Sequence, residues 1–321
     1  MKFTHIYFVP FTGLGAFEGF RGNQWLKNRI LIFKEFVLPS LLIQGNDLYV
    51  WFQWRPEEEN NPIVREFQET LKRVEGLNQI HTFGGITFYD DKYEDKIAKE
   101  RLMSSLVISL PKLKEIIKED YILLTLQPSD DMYLSDTAKR LKEKFSELLA
   151  KDPQNTRQAV GYKTGYIMNY VNKEVAEYTT KSWTTDKTST YHTDTIPPFF
   201  TILFLREEFL DPQKHFEHIG PYPSHEYIAD HMDYSVLGGR GFVVGVHGEN
   251  ISTTYNHRYK GRILTKDEME GIMIKTGTLH SRPLEFQPSA RLRARTILNR
   301  LPFHALIKKI YYLLPRKFRL I

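Results

Sequence analysis

Apolar positions in the first half of the chain recur with two periods. Short runs rich in β-branched and aromatic residues, His5–Phe11, Asp47–Trp54, the weaker Gln79–Phe88 and the strongest, Tyr121–Leu126 (YILLTL), predict strands. Between them the apolar residues fall at helical spacing. Trp25, Leu26, Ile30, Phe33, Val37 and Leu41 mark a helix over Trp25–Leu42 that closes near Pro39-Ser40, and Ile63, Phe67 and Leu71 mark one over Pro62–Val74. Leu102, Leu106, Leu110, Leu113 and Ile117 stripe a third over Arg101–Ile117; Leu141, Phe145 and Leu148 stripe a fourth over Ser135–Leu149, with Ser135 as its N-cap. Strands alternating with helices predict the α/β class: a Rossmann-type, mostly parallel sheet with helices on both faces. From Ala159 the pattern turns β-rich, with runs at Ala159–Tyr170, Val175–Thr184, Phe199–Leu205 and Gly241–Val246. The stretch Glu207–Arg240, studded with Pro, Gly, His and Asp, reads as loops around the sheet.

The 321 residues suffice for one large domain or two small ones, and no cysteine is among them, which excludes a disulfide scaffold, a thiolate metal site and a cysteine nucleophile. Aromatic residues at 13% exclude a disordered chain. The net charge of +5 is unevenly spread: nine bases and no acid follow Glu285, leaving 35 bases against 39 acids in the rest. In that tail Phe303, Leu306, Ile307, Ile310, Leu313 and Leu314 form an apolar stripe flanked by Lys308, Lys309, Arg300, Arg316, Lys317 and Arg319, the pattern of a C-terminal amphipathic helix lying on an anionic membrane. No secretory signal opens the chain and no run is long enough to span a bilayer, so the expected location is cytoplasmic, peripheral at the inner face of a membrane. The division expected is one α/β domain over 1–285, with a strand–helix half (1–150) and a β-rich half (151–285), and a basic membrane-surface tail over 286–321.

Chemistry concentrates in two places. Gln127-Pro128-Ser129-Asp130-Asp131 follows the strongest strand, and acids at the carboxyl end of a strand in an open α/β sheet face the ligand crevice, where carboxylates suit Mg²⁺ or Mn²⁺. Val243–Asn250 (VVGVHGEN) carries His247 out of a strand into glycine, and imidazole serves as ligand or acid–base group. A rival reading takes His192, Asp194 and His247 as the 2-His-1-carboxylate set of an iron and 2-oxoglutarate oxygenase, although the strand–helix alternation disagrees with the double-sheet barrel of such enzymes. A second rival is nucleic-acid binding through the basic tail, against which no nucleic-acid motif appears. Gly13, Gly15, Gly19 and Gly22 do not keep dinucleotide spacing and read as a loop with no helix directly behind it.

The stretch Arg29–Gln44 resembles the R-x-x-x-F-x-x-F-x-L-P-S-L-x-x-Q signature of a rhamnosyltransferase family, nucleotide-sugar glycosyltransferases of the glycosyltransferase-A fold. Thr4-His5-Ile6, Leu126–Asp131 and Val246–Asn250 match in the same order, so the resemblance spans about residues 4–255. It implies a nucleotide diphosphate sugar donor, a glycan or lipid-linked acceptor, and Mn²⁺ or Mg²⁺ held by Asp130, Asp131 and His247. Arg29, Gln127 and Asn250 are then substrate-binding residues. The family pattern has an acid where this chain has Pro128. An inverting transfer needs a base on the acceptor hydroxyl; Asp194, just before a strand, comes first, with Glu226 and Asp230 as alternatives.

Overall fold

A computed structural model describes residues 1–12, 22–45, 48–84, 95–171, 173–179, 200–219, 232–247, 260–281 and 284. In chain order the strands are β1 (Thr4–Val9), β2 (Leu48–Gln53), β3 (Asn78–Thr82), β4 (Tyr121–Leu126), β5 (Met132–Tyr133), β6 (Gln158–Asn169), β7 (Glu174–Thr179), β8 (Phe200–Leu205), β9 (Asp233–Val246) and β10 (Lys260–Ile263). The helices are α1 (Asn23–Ile32), α2 (Leu38–Leu42), α3 (Pro62–Lys72), α4 (Asp95–Lys114), α5 (Thr137–Lys151), α6 (Arg206–Leu210), α7 (Pro212–Ile219) and α8 (Lys266–Lys275), with a π-helical turn, Phe33–Val37, joining α1 to α2.

The α/β class is what the chain forms. The sheet runs β10-β7-β6-β8-β4-β1-β2-β3. β3, β2, β1 and β4 are mutually parallel; β8 then enters antiparallel to both β4 and β6, so a single sheet crosses from the first half of the chain to the second. Successive side chains of a strand point to opposite faces, and here the alternation divides the core. Tyr7, Val9, Val50, Phe52 and Leu123 pack on one face against Leu26 and Phe33, Phe67 of α3, and Leu141 and Phe145 of α5. Ile6, Trp51, Ile122 and Leu124 pack on the other, against Leu106, Leu110 and Leu113 of α4 and Phe209 and Phe216 of α6 and α7. Each such side chain contributes roughly 1.5–3 kcal/mol on burial.

Several boundaries differ from the sequence reading. The first helix does not close at Pro39 but runs on to Leu42. Proline has no N–H, so the carbonyl four residues back, Glu35 O, loses its helical donor; the π turn absorbs the mismatch and the Ser281 hydroxyl donates to that carbonyl. The glycine-rich stretch is followed at once by a helix, because Gly22, at φ 91°, turns the chain directly into α1. Ser135 does not cap α5: its backbone N–H goes to Lys275 O, and the cap comes from Gln44, whose Oε1 accepts from Ala138 N at 3.0 Å while its Nε2 donates to Ser40 O and Leu134 O, each at 2.9 Å. The region expected as loops contains α6, α7 and the first part of β9. Residues 220–231 and 285–321, which include Glu226, Asp230 and the whole basic tail, lie outside the described residues.

Candidate functional site

In the order 3-2-1-4 the chain moves outward from β1 to β3 and then returns to the other side of β1. β1 and β4 therefore flank the topological switch point, where open α/β sheets bind ligands at the carboxyl ends of their strands. Beyond the last residue of β4 the Gln127 backbone N–H donates to Phe8 O at 2.8 Å. Its side chain then folds beneath the turn, Nε2 donating to Pro128 O at 2.8 Å and to Asp131 O at 2.7 Å. Gln127 is fully buried, and its Oε1 has no hydrogen-bond partner. It shapes the turn that presents the two acids.

β5 pairs antiparallel with β9 directly after the turn, Met132 facing Val243; the same register carried on sets Gly245 opposite Asp130, and the His247 ring reaches back to Asp130. Gly245 N–H donates to Asp131 Oδ1 at 2.8 Å. The Tyr170 hydroxyl donates to Asp130 O at 2.7 Å, and its ring stacks on Phe36 with centroids 4.0 Å apart. A Cβ at position 245 would run into Asp130 O and the Tyr170 ring.

From α1, Arg29 Nη1 reaches Asp130 Oδ2 at 2.5 Å, and His247 Nε2 meets the same oxygen at 3.2 Å. Arg29 and His247 are almost wholly buried, 5% and 3% exposed. Trp25 lies against the guanidinium, 5.3 Å from ring centroid to Cζ. Burial would raise both carboxyls. At Asp130 the Arg29 charge and the His247 contact outweigh burial and hold the group well below the usual carboxylate range. At Asp131 burial and the neighbouring Asp130 charge prevail over the Gly245 N–H and Arg29, and hold it well above that range. The pair thus divides into an ionised Asp130, matched by one guanidinium, and an Asp131 that retains its proton more tightly.

This arrangement bears on the metal expected from the sequence. Among the described residues no group of three His, Asp or Glu side chains is set to hold a cation. Asp130 Oδ2 already meets Arg29 and His247, and Asp131 Oδ1 meets Gly245. A cation on Asp130 would stand beside the guanidinium, and like unit charges about 4 Å apart repel by about 4 kcal/mol near a protein surface. The donor set as arranged does not fit Mn²⁺ or Mg²⁺.

Four sequence-derived residues come together here: Arg29, Asp130, Asp131 and His247. Gln127 serves the turn beneath them. Asp194 and Asn250 lie outside the described residues, as does His192 of the rival iron set. Gly245 and Tyr170 escaped the sequence reading. A glycine inside the apolar run VVGV was a signal for the first, since strand-interior glycine marks close backbone approach; nothing in the spacing marked Tyr170. Thr12 and Glu58 were also missed. At the carboxyl ends of β1 and β2 the Thr12 hydroxyl donates to the buried Glu58, whose burial raises its carboxyl and whose Oε1 lacks a partner.

No protein-family model and no curated protein matches this chain. Among solved structures, S. aureus TarS 1–349 is similar at 11% identity and a TM-score of 0.36, over 75% of this chain and 60% of that one. The same fragment in complex with UDP-GlcNAc gives 12% and 0.36 over 92% and 71%. S. aureus TarS over a longer chain gives 10% and 0.32 over 94% and 44%. This chain thus spans less than two thirds of the length of two of these three.

Proposed function

We propose that this protein is a nucleotide-sugar glycosyltransferase, moving a sugar from a nucleoside diphosphate donor to a hydroxyl of a glycan or lipid-linked acceptor. Rhamnose is the sugar that the Arg29–Gln44 resemblance suggests. The observation that carries the reading is the buried Arg29–Asp130–His247 cluster at the switch point between β1 and β4.

In such a transfer the bond from the anomeric carbon to the diphosphate breaks, a bond to the acceptor oxygen forms, and the hydroxyl proton passes to a base. Negative charge grows on the leaving diphosphate, and donors fixed in advance stabilise it without reorganisation. Arg29, a fixed cation, and His247 are groups of this kind, both held by Asp130. Asp194 is the proposed base, with Glu226 and Asp230 as its alternatives. Residues 300–319 are proposed to hold the enzyme at an anionic membrane surface, where lipid-linked acceptors are found. Among the described residues no helix is long and apolar enough to cross a membrane.

Calorimetric titration with uridine, guanosine and thymidine diphosphates tests the reading. One of them is expected to bind, and His247→Ala to weaken it by roughly tenfold, the worth of one hydrogen bond to a charged group. Binding of none of the three removes the reading.

A further inference from the structure

The geometry points to Arg29 as the protein's own cation at the diphosphate site, so that nucleoside diphosphate binds without a divalent ion. The inference rests on the transferase reading and deepens it at the same residues.

Three observations carry it. The first is the short ion pair, 2.5 Å between Arg29 Nη1 and Asp130 Oδ2, with side chains only 6% and 16% exposed. A guanidinium held this tightly has a fixed orientation, and its five N–H donors in a planar fork match phosphate oxygens two at a time. The second is that the pair leaves donors over: Arg29 Nε is buried and has no hydrogen-bond partner. The third is the charge count. The turn carries two acids rather than three, because Pro128 offers no side-chain ligand. Asp130 is paired with Arg29, and Asp131 Oδ1 accepts the Gly245 N–H. With Asp130 Oδ2 taken up by the guanidinium, a further cation there would stand beside a like charge, while the face of the guanidinium turned from Asp130 retains its attraction for an anion.

The inference makes Asp130 the residue that positions Arg29, and Trp25 and α1 the support that keeps the guanidinium at the carboxyl end of β4. It also predicts a latent property. With the guanidinium removed, Asp130 loses the cation that matches its charge, and a divalent ion is expected to take that place beside the carboxylate.

The test uses the full chain, the nucleoside diphosphate that binds it best, and Mn²⁺ followed by electron paramagnetic resonance. Wild type is expected to bind the nucleotide equally well in EDTA and in Mn²⁺, and to take up no Mn²⁺ alone. Arg29→Met is expected to bind nucleotide roughly ten- to a hundredfold more weakly and to acquire Mn²⁺ uptake that vanishes in Arg29→Met/Asp130→Asn. Arg29→Lys, which keeps the charge, guards against a folding failure and is expected to stay insensitive to EDTA with part of the affinity. Stoichiometric Mn²⁺ uptake by wild type, or nucleotide binding abolished by EDTA, overturns the inference while leaving the transferase reading intact. An Arg29→Met protein that neither weakens nucleotide nor takes up Mn²⁺ overturns it as well. Failure of every nucleoside diphosphate, with and without Mn²⁺, sinks the transferase reading and with it the role of Arg29 toward diphosphate.

Discussion

Position 245 shows how little room the candidate site leaves. Its backbone N–H serves Asp131, and the space a methyl group would need is filled by Asp130 O and the Tyr170 ring. Gly245→Ala must therefore push β9 away from the turn, stretching the Asp131 hydrogen bond and moving His247 off Asp130. We expect a loss of about 1–3 kcal/mol from overpacking, read as a lowered urea midpoint, together with weaker nucleotide binding than stability alone explains. A Gly245→Ala protein with unchanged midpoint and affinity would show that β9 lies further from the turn. At this scale the sequence was informative about which residues carry chemistry and silent about who meets whom. Asp130 and His247 stood out because a strand ended in acids and another ended in histidine. Their partner Arg29 stood out only as the start of a signature. No spacing rule joins α1, β4 and β9, because those contacts are made by the sheet and not by local geometry.

At the scale of elements, the signature from Arg29 to Gln44 acquires a physical reading as a clamp. One end reaches the acid turn, and the other caps the helix that follows that turn. Phe33 and Phe36 between them pack against Phe52 and Tyr170, while Ser40 donates to Val37 O at 2.7 Å inside the distorted segment. Gln44→Ala removes the acceptor for Ala138 N–H and two donated bonds to backbone carbonyls. Thermal unfolding should register a loss near the upper end of an N-cap deletion, about 2 kcal/mol, whereas a shift indistinguishable from wild type would mean that another group caps α5. The strand Tyr121–Leu126 was legible to the residue because its apolar run is bounded on both sides. The opening of β9, DYSVLGGR, was not: two adjacent glycines among polar residues make it resemble a loop, and it is a strand because β6 offers it a full-length partner. The short β5 was invisible for the same reason, being defined by its pairing with β9.

On the scale of the whole molecule, the described core closes with Leu284, which packs in the cluster formed by Ile32, Phe36, Met132 and Tyr170. Truncation after Asn299 therefore retains every described contact. We expect the shortened protein to keep the wild-type unfolding midpoint and to lose co-sedimentation with phosphatidylserine vesicles, and raising salt to weaken vesicle binding of the full chain. Full-length protein that ignores such vesicles would remove the proposed membrane role of residues 300–319.

The insertion of β8 between β4 and β6 has a consequence for biosynthesis. β4 emerges from the ribosome with one edge paired to β1, but its other edge waits for Phe200–Leu205. At about 5–20 residues per second, the chain from Leu126 to Phe200 takes roughly 4–15 s to make. During that interval the apolar strand YILLTL presents an open ladder of N–H and C=O groups, the kind of edge on which nascent chains aggregate. The parallel part of the sheet cannot mature ahead of the rest, and the yield of folded protein should depend on how quickly translation, or a chaperone holding that edge, carries it to β8.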